Sequence, residues 1–162
     1  MKITALAVVL TAFSLVTHGS EKNSNNDKHY SITISPFFLL IAGLTEFTIE
    51  YNTNDYVGLA LVGGIGSRMK ELGVQYNRYI KNNFNTGVQV GIETIGLVVE
   101  KSNDSSVKKT DKTISVGAYV GYKVIARNGF TFNIQYGQQY VTELRKDEFI
   151  ISLFNLNVGW SF

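Results

Sequence analysis

A two-residue hydrophobic period, recurring from Tyr30 to the last residue, constrains this chain more than any other feature. It is clearest at the end, in Phe149-Ile-Ile-Ser-Leu-Phe-Asn-Leu-Asn-Val-Gly-Trp-Ser-Phe162. Every second residue back from Phe162 gives Trp160, Val158, Leu156, Phe154, Ser152 and Ile150. The positions between are Ser161, Gly159, Asn157 and Asn155, then Leu153 and Ile151. A helix repeats every 3.6 residues or so and a strand every two, so this segment is a strand. It is far longer than the roughly 5–6 residues of an ordinary globular strand.

The same period runs through the chain. Thr45, Phe47, Ile49 and Tyr51 oppose Glu46, Thr48 and Glu50, and Leu59, Leu61 and Ile65 oppose Gly58, Ala60 and Gly64. Leu72, Val74, Tyr76 and Ile80 oppose Glu71, Gly73, Gln75 and Asn77. Val88, Val90 and Ile92 oppose Gly87, Gln89, Gly91 and Glu93. Ile114, Val116, Val120, Tyr122 and Val124 oppose Ser115, Gly117, Tyr119, Gly121 and Lys123. Phe130, Phe132, Ile134 and Tyr136 oppose Thr131, Asn133, Gln135 and Gly137. Turns are expected at 52–55, 66–69, 81–83, 143–148 and at Ala126-Arg-Asn-Gly129, which carries the Asn-Gly hairpin signal. Glu100 to Lys112 reads as a long polar loop. With Tyr30–Ser35 as the first strand, the count is eight. Pro36–Gly43 breaks the alternation and reads either as a rim turn or as a strand buried on both faces.

Alternation alone does not say which face is inside. A water-facing strand surface carries many Lys and Glu, yet the polar faces here are Gly, Asn, Gln, Ser and Thr with an occasional Glu. Charged residues make up 17% of the chain, against roughly 25% in a soluble domain. Small polar side chains suit the crowded centre of an eight-stranded barrel, which side chains just fill. The apolar face then points outward, where a mid-strand Lys or Arg against lipid would cost about 2–4 kcal/mol. Arg78 breaks this rule, but it sits near a turn and can snorkel. Tyr51, Tyr76, Phe84, Tyr122, Phe130, Trp160 and Phe162 fall near strand ends on one side, as an aromatic girdle requires.

Met1-Lys2 and the apolar run Ile3–Val16 read as a secretory signal peptide over 1–19, cleaved after Gly19 or Ser20. Residues 20–29 are polar and asparagine-rich, a flexible periplasmic lead-in to a barrel over 30–162. The long last strand, ending on an aromatic residue, resembles that of bacterial outer-membrane β-barrels. The whole plan is similar to the small OmpA-transmembrane and OmpX-like barrels. The resemblance implies an all-β, eight-stranded antiparallel up-and-down transmembrane barrel in a Gram-negative outer membrane. It makes Trp160 and Phe162 part of the signal read by the barrel insertion machinery. It also implies a monomer surrounded by outer-membrane lipid and lipopolysaccharide. Turns 52–55, 81–83 and 126–129 would be periplasmic, and the loops at 100–112 and 143–148 external.

Little catalytic chemistry is available. There is no Cys, and the two histidines, His18 and His29, precede the barrel. That leaves no Ser-His-Asp arrangement and no histidine-containing zinc site. Gly63-Gly64-Ile65-Gly66 lacks the Lys and helix of a phosphate loop. A net charge of +2 does not indicate nucleic acid. No enzyme activity, cofactor or metal is expected. The remaining constellation is the inward set Glu46, Glu50, Glu71, Glu93 and Lys123. It reads either as a proton or cation path or as a polar plug, with Lys123 paired to one or more glutamates. The plug is favoured, because eight strands leave no open channel. Lys101, Lys108, Lys109 and Lys112 could meet lipopolysaccharide phosphates or an anionic partner, but Asp104 and Asp111 dilute the charge and a solvated loop is favoured. The apolar Phe37–Ile41 run reads either as a binder of acyl chains or as packing against the bilayer rim, and the rim is favoured. The functional expectation is a non-enzymatic envelope or surface protein acting through its external loops. The alternatives are a narrow, porin-like pore or transporter for ions or small solutes, and a soluble secreted barrel with an apolar ligand.

Overall fold

The computed structural model describes residues 28–54, 56–80, 86–102, 108–143 and 148–162. The expected signal peptide, positions 20–27 of the lead-in, the turn at 81–83 and Phe84 lie outside them. The strands are β1 (Tyr30–Ser35), β2 (Leu44–Asn54), β3 (Val57–Gly66) and β4 (Met69–Ile80), then β5 (Thr86–Ser102), β6 (Lys108–Ile125), β7 (Phe130–Glu143) and β8 (Glu148–Ser161). Each pairs antiparallel with its sequence neighbour, and β8 returns to β1 to close the barrel. This is the predicted eight-stranded up-and-down order.

The register sets the geometry of the interior. Followed from Tyr30 through Tyr51, Leu59, Tyr76, Ile92, Ala118 and Gln138, the pairing reaches Ser152. Tyr30 itself exchanges backbone hydrogen bonds of 3.0 and 2.9 Å with Phe162. One circuit has therefore climbed β8 from Phe162 to Ser152, a stagger that requires strands tilted by roughly 40° to the barrel axis.

Exposure follows the alternation. Ile49, Leu61, Leu72, Val74, Ile92, Val116 and Val120 stand outward. Glu50, Gln75, Asn77, Gln89, Lys123, Asn133, Gln135 and Asn157 are buried inside. The barrel is apolar outside and polar within. Val124 and Phe132, a cross-strand pair on the outer face, are buried instead. Arg78 stands outward, its guanidinium 5.9 Å from the Tyr56 ring centroid. Phe130 and Trp160 meet edge to face at 5.5 Å, and Tyr30 lies between Tyr51 and Phe162.

Two expectations need correction. Pro36–Ala42 is neither a rim turn nor a strand but a seven-residue helix, α1. The Ser35 Oγ accepts from the Phe38 N–H at 3.3 Å. Pro36 occupies the first turn, where its missing N–H costs nothing, and Gly43 ends the helix at φ 60°. Glu100–Lys112 is not a long loop. Glu100 pairs with Thr110, Lys101 with Lys109 and Ser102 with Lys108, leaving only 103–107 outside the described residues. A polar composition does not prevent pairing, because the ladder bonds are made by the backbone. The neighbouring strands stop at Met69↔Val99 and Thr113↔Glu143, so the β5–β6 ribbon projects past the rim. At the opposite end the Asn-Gly turn forms as expected. Gly129 N–H donates to the Ala126 carbonyl at 2.9 Å, with Gly129 at φ 92°.

Candidate functional site

The inward faces of these strands form two polar layers. The first lies toward the end that carries the 126–129 turn and Phe162. There one oxygen of Glu50 accepts from Asn77 Nδ2 at 2.8 Å and from the Tyr79 hydroxyl at 2.6 Å. The other accepts from Lys123 Nζ at 2.7 Å. Lys123 is 1% exposed and Glu50 4%. Burying two charges is costly, and the cost is offset only when the pair is close and its remaining lone pairs are bonded. Here they are. The Tyr119 hydroxyl donates in turn to Asn77 Oδ1, and Gln89 Nε2 donates to Asn133 Oδ1 at 2.8 Å. Glycine makes this layer possible. A Cβ on Gly58 would collide with the Glu50 carboxylate, and one on Gly91 with the Tyr119 ring.

The second layer lies toward α1 and the β5–β6 ribbon. Glu93 accepts from Gln75 Nε2 at 2.9 Å and from Gln139 Nε2. Glu46 accepts from Asn155 Nδ2 at 2.8 Å, and Asn155 Oδ1 accepts from Ser35 Oγ at 2.6 Å. Glu71 lies within hydrogen-bond reach of Glu46, and its Oε1 is buried without a partner. These three carboxyl groups line a cavity of about 190 Å³ together with Phe38, Leu44, Leu97 and Leu153. No Lys, Arg or His is among its lining residues.

All five inward residues singled out from the sequence thus face the interior, but they do not form one cluster. Lys123 pairs with Glu50, and Glu46, Glu71 and Glu93 gather apart from it. Sequence reasoning passed over Tyr79, which is 1% exposed and donates to Glu50. The signal was present: two positions from Asn77, Tyr79 shares its face. Trp160 stands outward, and Phe162 closes the barrel by pairing with Tyr30. Among the described residues no three His, Cys, Asp or Glu side chains are placed to hold a metal ion. Comparison with family models, curated proteins and solved structures yields no match to this chain.

Proposed function

We propose that this protein is an integral barrel of the bacterial outer membrane, non-enzymatic, plugged rather than open, with its contacts made at the external rim. The observation that carries the reading is the sidedness of the wall. Leu61, Leu72, Ile92, Val116 and Val120 are exposed mid-strand while Gln75, Asn77, Gln89 and Asn133 are buried opposite them. A soluble barrel with an apolar ligand needs the reverse arrangement. Along β8 the outward face is chiefly apolar from Ile150 to Phe162. At about 3.3 Å per residue and roughly 40° of tilt that span is about 30 Å tall, close to the ~25 Å band that outer-membrane barrels present to lipid. Exposed Tyr30, Tyr51, Tyr56, Trp160 and Phe162 rim one end of it.

The layer built on Glu50, Lys123, Tyr79 and Tyr119 fills the lumen with bonded side chains, which argues against a pore. Fractionation combined with gel mobility before and after boiling tests the proposal. The expected result is an outer-membrane protein whose unboiled form migrates as a compact species. Recovery from the soluble fraction with no such shift would refute it. Planar-bilayer recordings are expected to give no steady conductance.

A further inference from the structure

The wall of the barrel is not strand throughout. β1 pairs with β2 as far as Ser35↔Glu46, but with β8 only from Ser31↔Ser161 to Ile34↔Val158. β8 continues past Val158 to Glu148, paired over that length with β7 alone. β2 begins at Leu44, beyond its last β1 partner, Glu46. Between these two edges the wall is completed by α1, which packs on β2 and β8 and sets Phe37 edge-on against Phe154 at 5.2 Å. Among the described residues no backbone hydrogen bond joins α1 to β8. In hydrocarbon an unpaired strand edge has no water to bond, so a barrel that serves only as a wall gains by carrying β1 further. Ser35-Pro36 stops it instead.

α1 separates two environments. Phe38 lines the interior cavity, while Leu39 and Leu40 are 52% and 82% exposed on the outside. The helix is capped by Ser35 at one end and by Gly43, in the left-handed region, at the other, so its ends are finished locally rather than by either strand edge. Behind it the cavity is lined by Leu44 and Leu153 from the edges of the slot and by Met69, Ile95 and Leu97 from the facing wall. The cavity measures about 190 Å³, with these apolar residues on one part of its wall and Glu46, Glu71 and Glu93 on another, the mixed lining an amphipath requires.

We propose that the slot is a lateral port, with α1 as its lid. The cavity behind it binds the hydrocarbon chain of a single-chain amphipath that enters from the bilayer. This rests on the reading that the outer wall faces lipid. The cavity wall offers the carboxyl groups of Glu46, Glu71 and Glu93 and no Lys, Arg or His to pair with an anionic head, so the ligand's head is neutral or cationic, an alcohol or amine.

The test uses the full chain folded into phosphatidylcholine vesicles with a diazirine-tipped dodecylamine. After irradiation, the labelled residues are read by mass spectrometry. The expected adducts fall on Met69, Leu97 and Leu153, and the matching dodecanoate probe labels them at least tenfold less. Leu153→Trp fills the cavity and is expected to cut the interior adducts at least tenfold while the compact gel species persists. Should that variant not fold, the position of the adducts on the native chain decides by itself. Adducts confined to outward residues such as Leu40, Leu61 and Ile150 would overturn the port and leave the membrane reading standing. A chain that takes no label and stays folded without vesicles would overturn both. Equal labelling by dodecanoate would overturn the choice of head group.

Discussion

The two polar layers inside this barrel are built from the same kinds of side chain and differ in how they are finished. Around Glu50 one carboxylate meets one ammonium and two further donors, and the buried oxygen left without a partner in this layer is the neutral amide Oε1 of Gln89. In the other layer Asn155 donates to Glu46, Gln75 and Gln139 donate to Glu93, and Glu71 keeps a buried carboxyl oxygen without a partner. The first layer is under the closed part of the wall. The second is where β1 ends early and α1 takes its place. The lesson is that burial of charge in one barrel can serve two ends. A carboxylate paired with an ammonium fills the lumen, and three carboxyl groups with no cation among them, next to a break in the wall, line a space.

Substitutions can break or sharpen that contrast. Lys123→Met should have the largest effect, because it strands a buried carboxylate, a loss of about 3–5 kcal/mol. Urea unfolding in vesicles, followed by gel mobility, measures it. Adding Glu50→Gln to that variant is expected to recover most of the loss, since the uncompensated charge is then gone. Gly91→Ala pushes a methyl group into the Tyr119 ring and is expected to cost about 1–3 kcal/mol. The second layer should answer differently to a change of charge. Glu71→Gln supplies a donor beside Glu46 and is expected to be neutral or to stabilise by up to about 1 kcal/mol. Equal losses for Lys123→Met and Glu71→Gln would erase the distinction between the layers. The smallest effect is expected at Gly96, whose added Cβ meets nothing nearer than the Leu72 carbonyl oxygen at 3.6 Å. Gly96→Ala should stay within about 0.5 kcal/mol of the parent in the same unfolding assay.

Most of the wall was legible in the sequence because a two-residue period leaves no freedom about which side chains share a face. The strand count follows from it, while the sidedness, and with it the inward position of Lys123, needed the kind of polar residue on that face as well. The partner of Lys123 follows from neither. Glu50 and Lys123 lie on β2 and β6, which never pair, and they meet across the lumen at a height fixed by the stagger of the whole circuit. Tyr79 was missed because the inward set was chosen by charge, while parity with Asn77 turns its aromatic ring inward as well. The helix at Pro36–Ala42 was announced by Ser35, Pro36 and Gly43, local capping chemistry that a search for alternation is not built to find. The β5–β6 ribbon was hidden for a related reason: backbone pairing makes no demand on side-chain polarity, so a polar segment can still be a strand.

The central claim is that the apolar outer face meets hydrocarbon, and the chain carries its own probe for this. It has a single Trp, and Trp160 stands outward at 55% exposure beside Phe130. The most direct measurement is Trp160 emission from the full chain folded in vesicles whose acyl chains are brominated at graded depths. The account expects a blue-shifted emission, quenched most by bromines nearest the headgroups, with the compact gel species present only when lipid or detergent is supplied. Unquenched emission from a chain that reaches the same compact state in plain buffer would contradict it.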